Sequence, residues 1–243
     1  MKIAAIHRTS FVDYPGKMAA VVFAQGCNLN CSYCHNRTLV ANDSALKGVA
    51  DREVIGYLRK RQGLLDAVVI TGGEPTIQPD LAVFMEQLRR LGYFVKLDTN
   101  GTRPVALKTL MHERLLDYVA MDIKAPMNKY EAVCGVAIDT TALEQSIETL
   151  LAGTTDYEFR TTLIPNLTRE DILTIGRRIQ GARRYVLQRY REPEQAIQLP
   201  HLQIRESSPD STWIYSIVED LKHVVHRCHS RGFDARHRIP PPD

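Results

Sequence analysis

The sequence predicts an α/β fold, a partial and open (β/α)6 barrel of mainly parallel strands. Three observations lead there. Short β-rich apolar runs alternate with amphipathic helical stretches along most of the chain, the pattern of βαβ units on a parallel sheet. The alternation repeats about six times, short of the eight units that close a barrel. The 243 residues suit one α/β domain of this kind, and no linker or fixed-period repeat interrupts them. A right-handed crossover at each step curls such a sheet. The missing units leave a lateral gap that admits a large substrate.

Taken in order, the first element is an apolar run at 3–6. The turn residues Asp13-Tyr14-Pro15-Gly16 follow it, and together they read as an N-terminal hairpin. Core strands are expected at 19–24, 67–71, 94–98, 118–123, 158–163 and 185–188. Helices are expected at 51–61, 79–91, 104–116, 141–152 and 169–180. Asp51 is placed to cap the first helix, and Thr168 precedes Arg169-Glu170-Asp171 at the last. Pro104 suits a first helical turn and Gly92 a helix stop. Beyond residue 190 the prolines of 192–209 predict a loop. A final helix is expected at 212–231 and an edge strand at 233–239. The chain, 1–243, reads as a single domain with a core at about 17–190 and a C-terminal extension at 191–243.

Hydrophobic residues make up 44% of the chain and charged residues 24%, which excludes disorder and fibrous repeats. A net charge of +3 is too weak to imply a nucleic-acid partner. The longest apolar run, 18–24, is too short to cross a bilayer. His7 and Arg8 fall where a signal peptide needs an apolar core. A cytoplasmic protein with no membrane partner is therefore expected.

The five cysteines are an odd number, which argues against a closed disulfide framework. Three of them, Cys27, Cys31 and Cys34, form C-x3-C-x2-C directly after the first core strand. That is the strand end where α/β folds place their chemistry. Thiolates are soft ligands suited to zinc or iron–sulfur clusters. Three of them hold three irons of a four-iron cluster and leave the fourth iron open. A structural zinc site needs a fourth ligand, and His35 is awkwardly adjacent to Cys34. Cys31-Ser32-Tyr33-Cys34-His35 also matches the haem-attachment pattern C-x-x-C-H, but that reading needs export and leaves Cys27 idle. A redox Cys-x-x-Cys pair leaves Cys27 idle too.

With an aromatic residue, Tyr33, before the last cysteine, the motif resembles the signature of radical S-adenosylmethionine (SAM) enzymes. Cys34-His35-Asn36, with Asp13-Tyr14-Pro15-Gly16 upstream, is similar to the activases of glycyl radical enzymes. Among these it is most like the activating proteins of anaerobic ribonucleoside-triphosphate reductase. The resemblance covers roughly 9–190. It implies a [4Fe–4S] cluster on Cys27, Cys31 and Cys34, with Tyr33 and His35 beside SAM. It implies that Gly72-Gly73-Glu74, after the second core strand, holds the amino group of SAM. It further implies that Asp98 and Thr99, at the third strand end, and Asp122 are ligands of a monovalent cation. Asp98 and Asp122 also approach the methionine part of SAM, and Lys124 meets its carboxylate. Arg160, pointing inward on the fifth strand, needs an anion partner, since an unpaired buried charge is costly, and it is a further cofactor-binding candidate. Some activases carry a histidine on the sixth strand; here Gln188 stands in that region.

The implied reaction is reductive cleavage of SAM, followed by hydrogen abstraction from a glycine on a partner enzyme. The implied partners are the large subunit of an anaerobic ribonucleotide reductase and a one-electron donor such as flavodoxin or ferredoxin. The alternatives are an activase of the pyruvate formate-lyase type, a small-molecule enzyme such as a 7-carboxy-7-deazaguanine synthase, and a non-catalytic zinc or haem module. His223, His226 and His229 lie on the expected last helix, where about 100° per residue spreads them over a solvated face. Cys134 and Cys228 read as small buried hydrophobes.

Overall fold

The computed structural model describes residues 1–40, 48–192 and 211–233. Eight strands form one sheet in sequential order: β1 (Ile3–Ser10), β2 (Ala19–Ala24), β3 (Ala67–Gly72), β4 (Phe94–Thr99), β5 (Tyr118–Asp122), β6 (Asp156–Leu163), β7 (Tyr185–Arg189) and β8 (Cys228–Arg231). β1 pairs antiparallel with β2, and every later pairing is parallel. β1 and β8 do not pair with each other, so the barrel stays open. The helices are α1 (Arg37–Val40), α2 (Asp51–Arg59), α3 (Leu81–Arg90), α4 (Pro104–His112), α5 (Tyr130–Cys134), α6 (Thr140–Ala152), α7 (Arg169–Arg178) and α8 (Ser211–Leu221).

The predicted core strands are all present, with bounds shifted by at most two residues. Their apolar runs are buried on both sides, as parallel strands under helices must be. One set of alternate residues, including Val68, Ile70, Val95, Leu97 and Val119, packs under the helices. The other set lines the barrel interior. It is small and apolar on β2 and β3, with Val21 and Val69, and charged on β4 to β6, with Lys96, Asp98, Asp122, Glu158 and Arg160.

Capping explains the helix starts. Thr168 caps α7 through a reciprocal box with Asp171. Pro104 opens α4, and Gly92 follows α3 at φ +84°. Asp51 is not a cap: Ala50 holds that position and Asp51 is the first helical residue, where its charge still suits the helix dipole.

The C-terminal expectation needs correction. The helix ends at Leu221, and 228–231 form a seventh parallel strand rather than its last turn. Main-chain bonds from Gly181 to Val224 (2.9 Å), His226 to Ala182 (2.9 Å) and Tyr185 to Arg227 (2.8 Å) capture the chain along β7. His223, His226 and His229 therefore share no helix face. The expected loop at 192–209 lies, beyond its first residue, outside the described residues. So does the expected strand at 233–239, apart from Phe233.

Candidate functional site

The loop leaving β2 carries Cys27, Cys31 and Cys34, and main-chain bonds fix its path. Gly26 donates to Leu39 O at 2.7 Å, Asn30 to Cys134 O at 2.9 Å, and Cys34 to Cys31 O at 3.2 Å. The Leu29 N–H points at Cys27 Sγ, 3.4 Å away. The end of β3 lies directly on this loop. Gly73 donates to Ala24 O at 2.9 Å and Glu74 to Gly26 O at 2.8 Å. A Cβ on Gly73 would lie 1.9 Å from Gly26 O, and one on Gly72, at φ +111°, would lie 2.5 Å from Ala24 N. The glycine pair thus lets two backbones touch.

A cavity of about 240 Å3 opens between these segments. The three cysteines, Tyr33 and His35 reach it from the loop, and Gly72, Gly73 and Glu74 from the end of β3. Asp98 and Thr99 reach it from β4, Asp122 and Lys124 from β5, and Arg160 from β6. Gln188 does not line it. It pairs in register with Thr162, and Thr162 is the residue that reaches the cavity wall.

The carboxylates of the site are engaged within the protein. Glu74 is 1% exposed. Its Oε1 accepts from the Thr76 N–H (3.1 Å), Thr76 Oγ1 (2.5 Å) and Thr99 Oγ1 (2.8 Å), and its Oε2 from the Asn100 N–H (2.6 Å). Burial nonetheless outweighs these bonds and raises its pKa. Glu74 is therefore a clamp between the ends of β3 and β4.

Asp98 and Asp122 are bridged by one guanidinium. Arg160 Nε donates to Asp122 Oδ1 at 2.7 Å, and a terminal nitrogen to Asp98 Oδ2 at 3.2 Å. The remaining oxygens face lysines, with Lys96 Nζ 2.7 Å from Asp98 Oδ1 and Lys124 Nζ 2.8 Å from Asp122 Oδ2. Burial pushes both carboxyls up, but Arg160 and then the lysines outweigh it and hold them below the usual range. Burial likewise pushes Lys124 down. Asp122, Tyr33 and Cys31 overcome this and raise it. The two carboxylates thus face three side-chain cations, Arg160, Lys96 and Lys124. Lys124, expected to meet the carboxylate of SAM, also pairs with Asp122.

The thiols differ from one another. A hydrogen bond with Cys134 brings Cys31 down to about 7, helped by Lys124 against the effect of burial. Burial raises Cys27 to about 11 and also raises Cys34. Tyr33 is buried, and its hydroxyl has no hydrogen-bond partner among the described residues. Among the described residues no three His, Cys, Asp or Glu side chains are set to hold one metal ion. Three soft thiols spread around a common cavity suit a larger iron–sulfur cluster better than a zinc ion.

Sequence reasoning missed three supports. Asn36 Nδ2 donates to Gly72 O at 3.0 Å. Asn100 Nδ2 lies 3.0 Å from Asn28 Oδ1 and 4.0 Å from Cys27 Sγ. Lys96 anchors Asp98 from within the barrel. Asn36 sat inside a motif already noted and Asn100 directly follows the candidate Thr99, whereas Lys96 carried no signal beyond a charge inside an apolar strand.

The sequence profile of the radical SAM superfamily matches residues 21–179. The chain is 33% identical over 203 residues to a Methanocaldococcus jannaschii protein named, provisionally, as a glycyl-radical enzyme activating enzyme. That match covers 80% of this chain and 81% of the relative. It is 36% identical over 120 residues to 7-carboxy-7-deazaguanine synthase of Neisseria meningitidis serogroup B, covering 49% of this chain and 50% of the synthase. Streptococcus suis SuiB bound to S-adenosylmethionine shares the fold, with a TM-score of 0.68 at 14% identity over 87% of this chain and 50% of SuiB. The chain thus spans about half the length of the synthase and of SuiB. Among the described residues no helix is long and apolar enough to cross a membrane. With one profile over most of its strands and one relative alike along four fifths of both sequences, the chain belongs to the radical SAM superfamily; it is a radical SAM enzyme whose family implies SAM and a [4Fe–4S] cluster as cofactors.

Proposed function

We propose that this protein activates a glycyl radical enzyme. It cleaves SAM reductively at a [4Fe–4S] cluster held by Cys27, Cys31 and Cys34, and generates a glycyl radical on a partner, the large subunit of an anaerobic ribonucleoside-triphosphate reductase. The observation that carries this reading is the length of the similarity to the activating-enzyme relative, four fifths of both chains. When bound, the cluster and SAM supply one-electron reduction of a sulfonium and a carbon radical that abstracts hydrogen.

The chain's own residues position these groups. Cys31, with its lowered pKa, is the thiol readiest to ligate, while Cys27 and Cys34 release protons on binding. Asn100 and Asn28 hold the Cys27 side of the loop, and Asn36 ties its far end to Gly72. Lys124 is the lysine that lines the cavity and would meet a bound carboxylate, and Tyr33 brings an unused hydroxyl to the same cavity. Arg160 orders Asp98 and Asp122 in place of a monovalent cation. Flavodoxin or ferredoxin suits the one-electron supply, in the cytoplasm. β8 continues the same sheet and α8 packs beside it and α7, which supports one domain over 1–243.

A 7-carboxy-7-deazaguanine synthase is the second reading, favoured by the match over half of that enzyme. One experiment separates the two. The reconstituted, reduced protein is incubated without oxygen with SAM and the candidate reductase. A glycyl-radical doublet by electron paramagnetic resonance, with 5′-deoxyadenosine released, supports the activase. SAM cleavage with no radical on the reductase removes it.

A further inference from the structure

The barrel has a second mouth, at the N-terminal ends of its strands and away from the cysteines. Residues 14–17, the starts of β4, β5 and β6 and the end of α4 surround a cleft of about 790 Å3. That volume is within the range of small-molecule sites, about 300–1,000 Å3. No cysteine lines it, and the reaction proposed above makes no use of it.

Its charges are unevenly satisfied. Its two carboxylates are held by arginines that do not line the cleft: Asp117 pairs with Arg89 at 2.5 Å, and Asp156 with Arg183 at 3.3 Å. Three lining cations, Lys17, Arg114 and Arg184, have no carboxylate within 4.0 Å among the described residues. Arg184 spends one donor on Tyr118 Oη at 3.1 Å. Lys17 Nζ is 3.7 Å from the centroid of the Phe94 ring, and that ring is 43% exposed at the rim. Arg114 is the only non-glycine residue with positive φ among those described, at +56°. It follows α4 at a position where glycine is the usual choice. The chain thus carries a long cation where the backbone alone favours no side chain.

We propose that this lower mouth binds a small anion bearing more than one phosphate. The three cations come from three places, before β2, after α4 and before β7, so an extended polyanion engages them better than one compact phosphate. Guanidinium forks match phosphate oxygens in pairs, and lysine adds a point charge. The site also has a link to the cysteine end. Lys96 Nζ donates to Asp13 O at 2.6 Å and pairs with Asp98, which joins the segment bearing Lys17 to the wall of the cofactor cavity. A nucleoside triphosphate and inorganic polyphosphate share the chemistry this mouth recognises.

Titration calorimetry of the reconstituted full chain tests the site, with tripolyphosphate, ATP and AMP as probes at two salt concentrations. The expected result is binding of tripolyphosphate and ATP at least tenfold tighter than AMP, weaker at the higher salt, and unchanged by saturating SAM. ATP binding more tightly than tripolyphosphate assigns the site to nucleotides, and equal binding assigns it to the phosphate chain alone. Arg114→Gly suits the left-handed backbone and so retains the fold; it and Lys17→Gln are each expected to weaken ATP about tenfold. Cys27→Ala, which removes a proposed cluster ligand, should bind ATP as the parent does, so the result stands apart from the activase reading. Absence of binding, binding unaltered by both cation substitutions, or displacement by SAM overturns the proposal.

Discussion

Glu74 Oε2 accepts the main-chain N–H of Asn100 at 2.6 Å, and the Asn100 side-chain amide lies 4.0 Å from Cys27 Sγ. A buried carboxylate after β3 therefore sets the end of β4, and the end of β4 braces the cysteine loop. Replacing Glu74 by Ala strands four buried donors, each worth roughly 1–3 kcal/mol when left unpaired. Glu74→Ala is expected to lose at least about 3 kcal/mol in chemical denaturation and to retain little cluster after reconstitution. Unchanged stability with weakened SAM binding would instead make Glu74 a direct ligand of the cofactor.

The glycines separate by what surrounds them. On Gly73 a Cβ meets the backbone oxygen of Gly26, which cannot yield; on Gly101 it meets the flexible end of Met121 at 2.1 Å. Gly73→Ala is expected to abolish cluster loading, measured as iron and sulfide per chain. Gly101→Ala, at φ +75°, should reduce stability by about 1–2 kcal/mol while loading persists. Equal effects would show that the contact between β3 and the cysteine loop is not limiting.

Acid tests the bridge through Arg160. Asp98 and Asp122 have folded pKa values below their unfolded ones, near 3.8. Their contribution to stability is therefore full above about pH 4–5 and is lost as pH falls through the lowered folded values. Thermal melts of the parent should decline steeply below pH 4. Asp122→Asn, which binds no proton there, should show a shallower decline. Arg160→Leu leaves Asp98 and Asp122 each with one lysine partner and one bare oxygen, and is expected to cost about 1–3 kcal/mol at neutral pH.

The strands and most helices were readable because parallel strands buried on both sides need continuous apolar runs, such as Val68, Val69 and Ile70. β8 was not, because Cys228-His229-Ser230-Arg231 has no apolar run and follows a helical pattern. The cysteine loop stood out by its spacing, and the family resemblance supplied its reading. Its supports were not: Asn100 precedes a glycine and looks like an ordinary turn, and Arg160 finds its partners only through the register that sets it beside Asp122. Gln188 has the right strand and a suitable side chain, yet Thr162 of the neighbouring strand takes the cavity wall.

Cys134 is the thiol most able to compete for the cluster, since it hydrogen-bonds Cys31. Cys134→Ala is expected to retain the cluster, whereas Ala at position 27, 31 or 34 removes it. In the cluster-free protein the same substitution deletes the bond that lowers Cys31. The pH midpoint for alkylation of Cys31 should then rise. A midpoint that stays put would assign the lowering to Lys124.

Mössbauer spectroscopy of the 57Fe-reconstituted protein, before and after SAM, reads the three-cysteine ligation most directly. The expected spectrum has one iron distinct from three, and that iron alone shifts when SAM is added. Four equivalent irons that ignore SAM, or a distinct iron that vanishes in Cys134→Ala, would contradict ligation by Cys27, Cys31 and Cys34 alone.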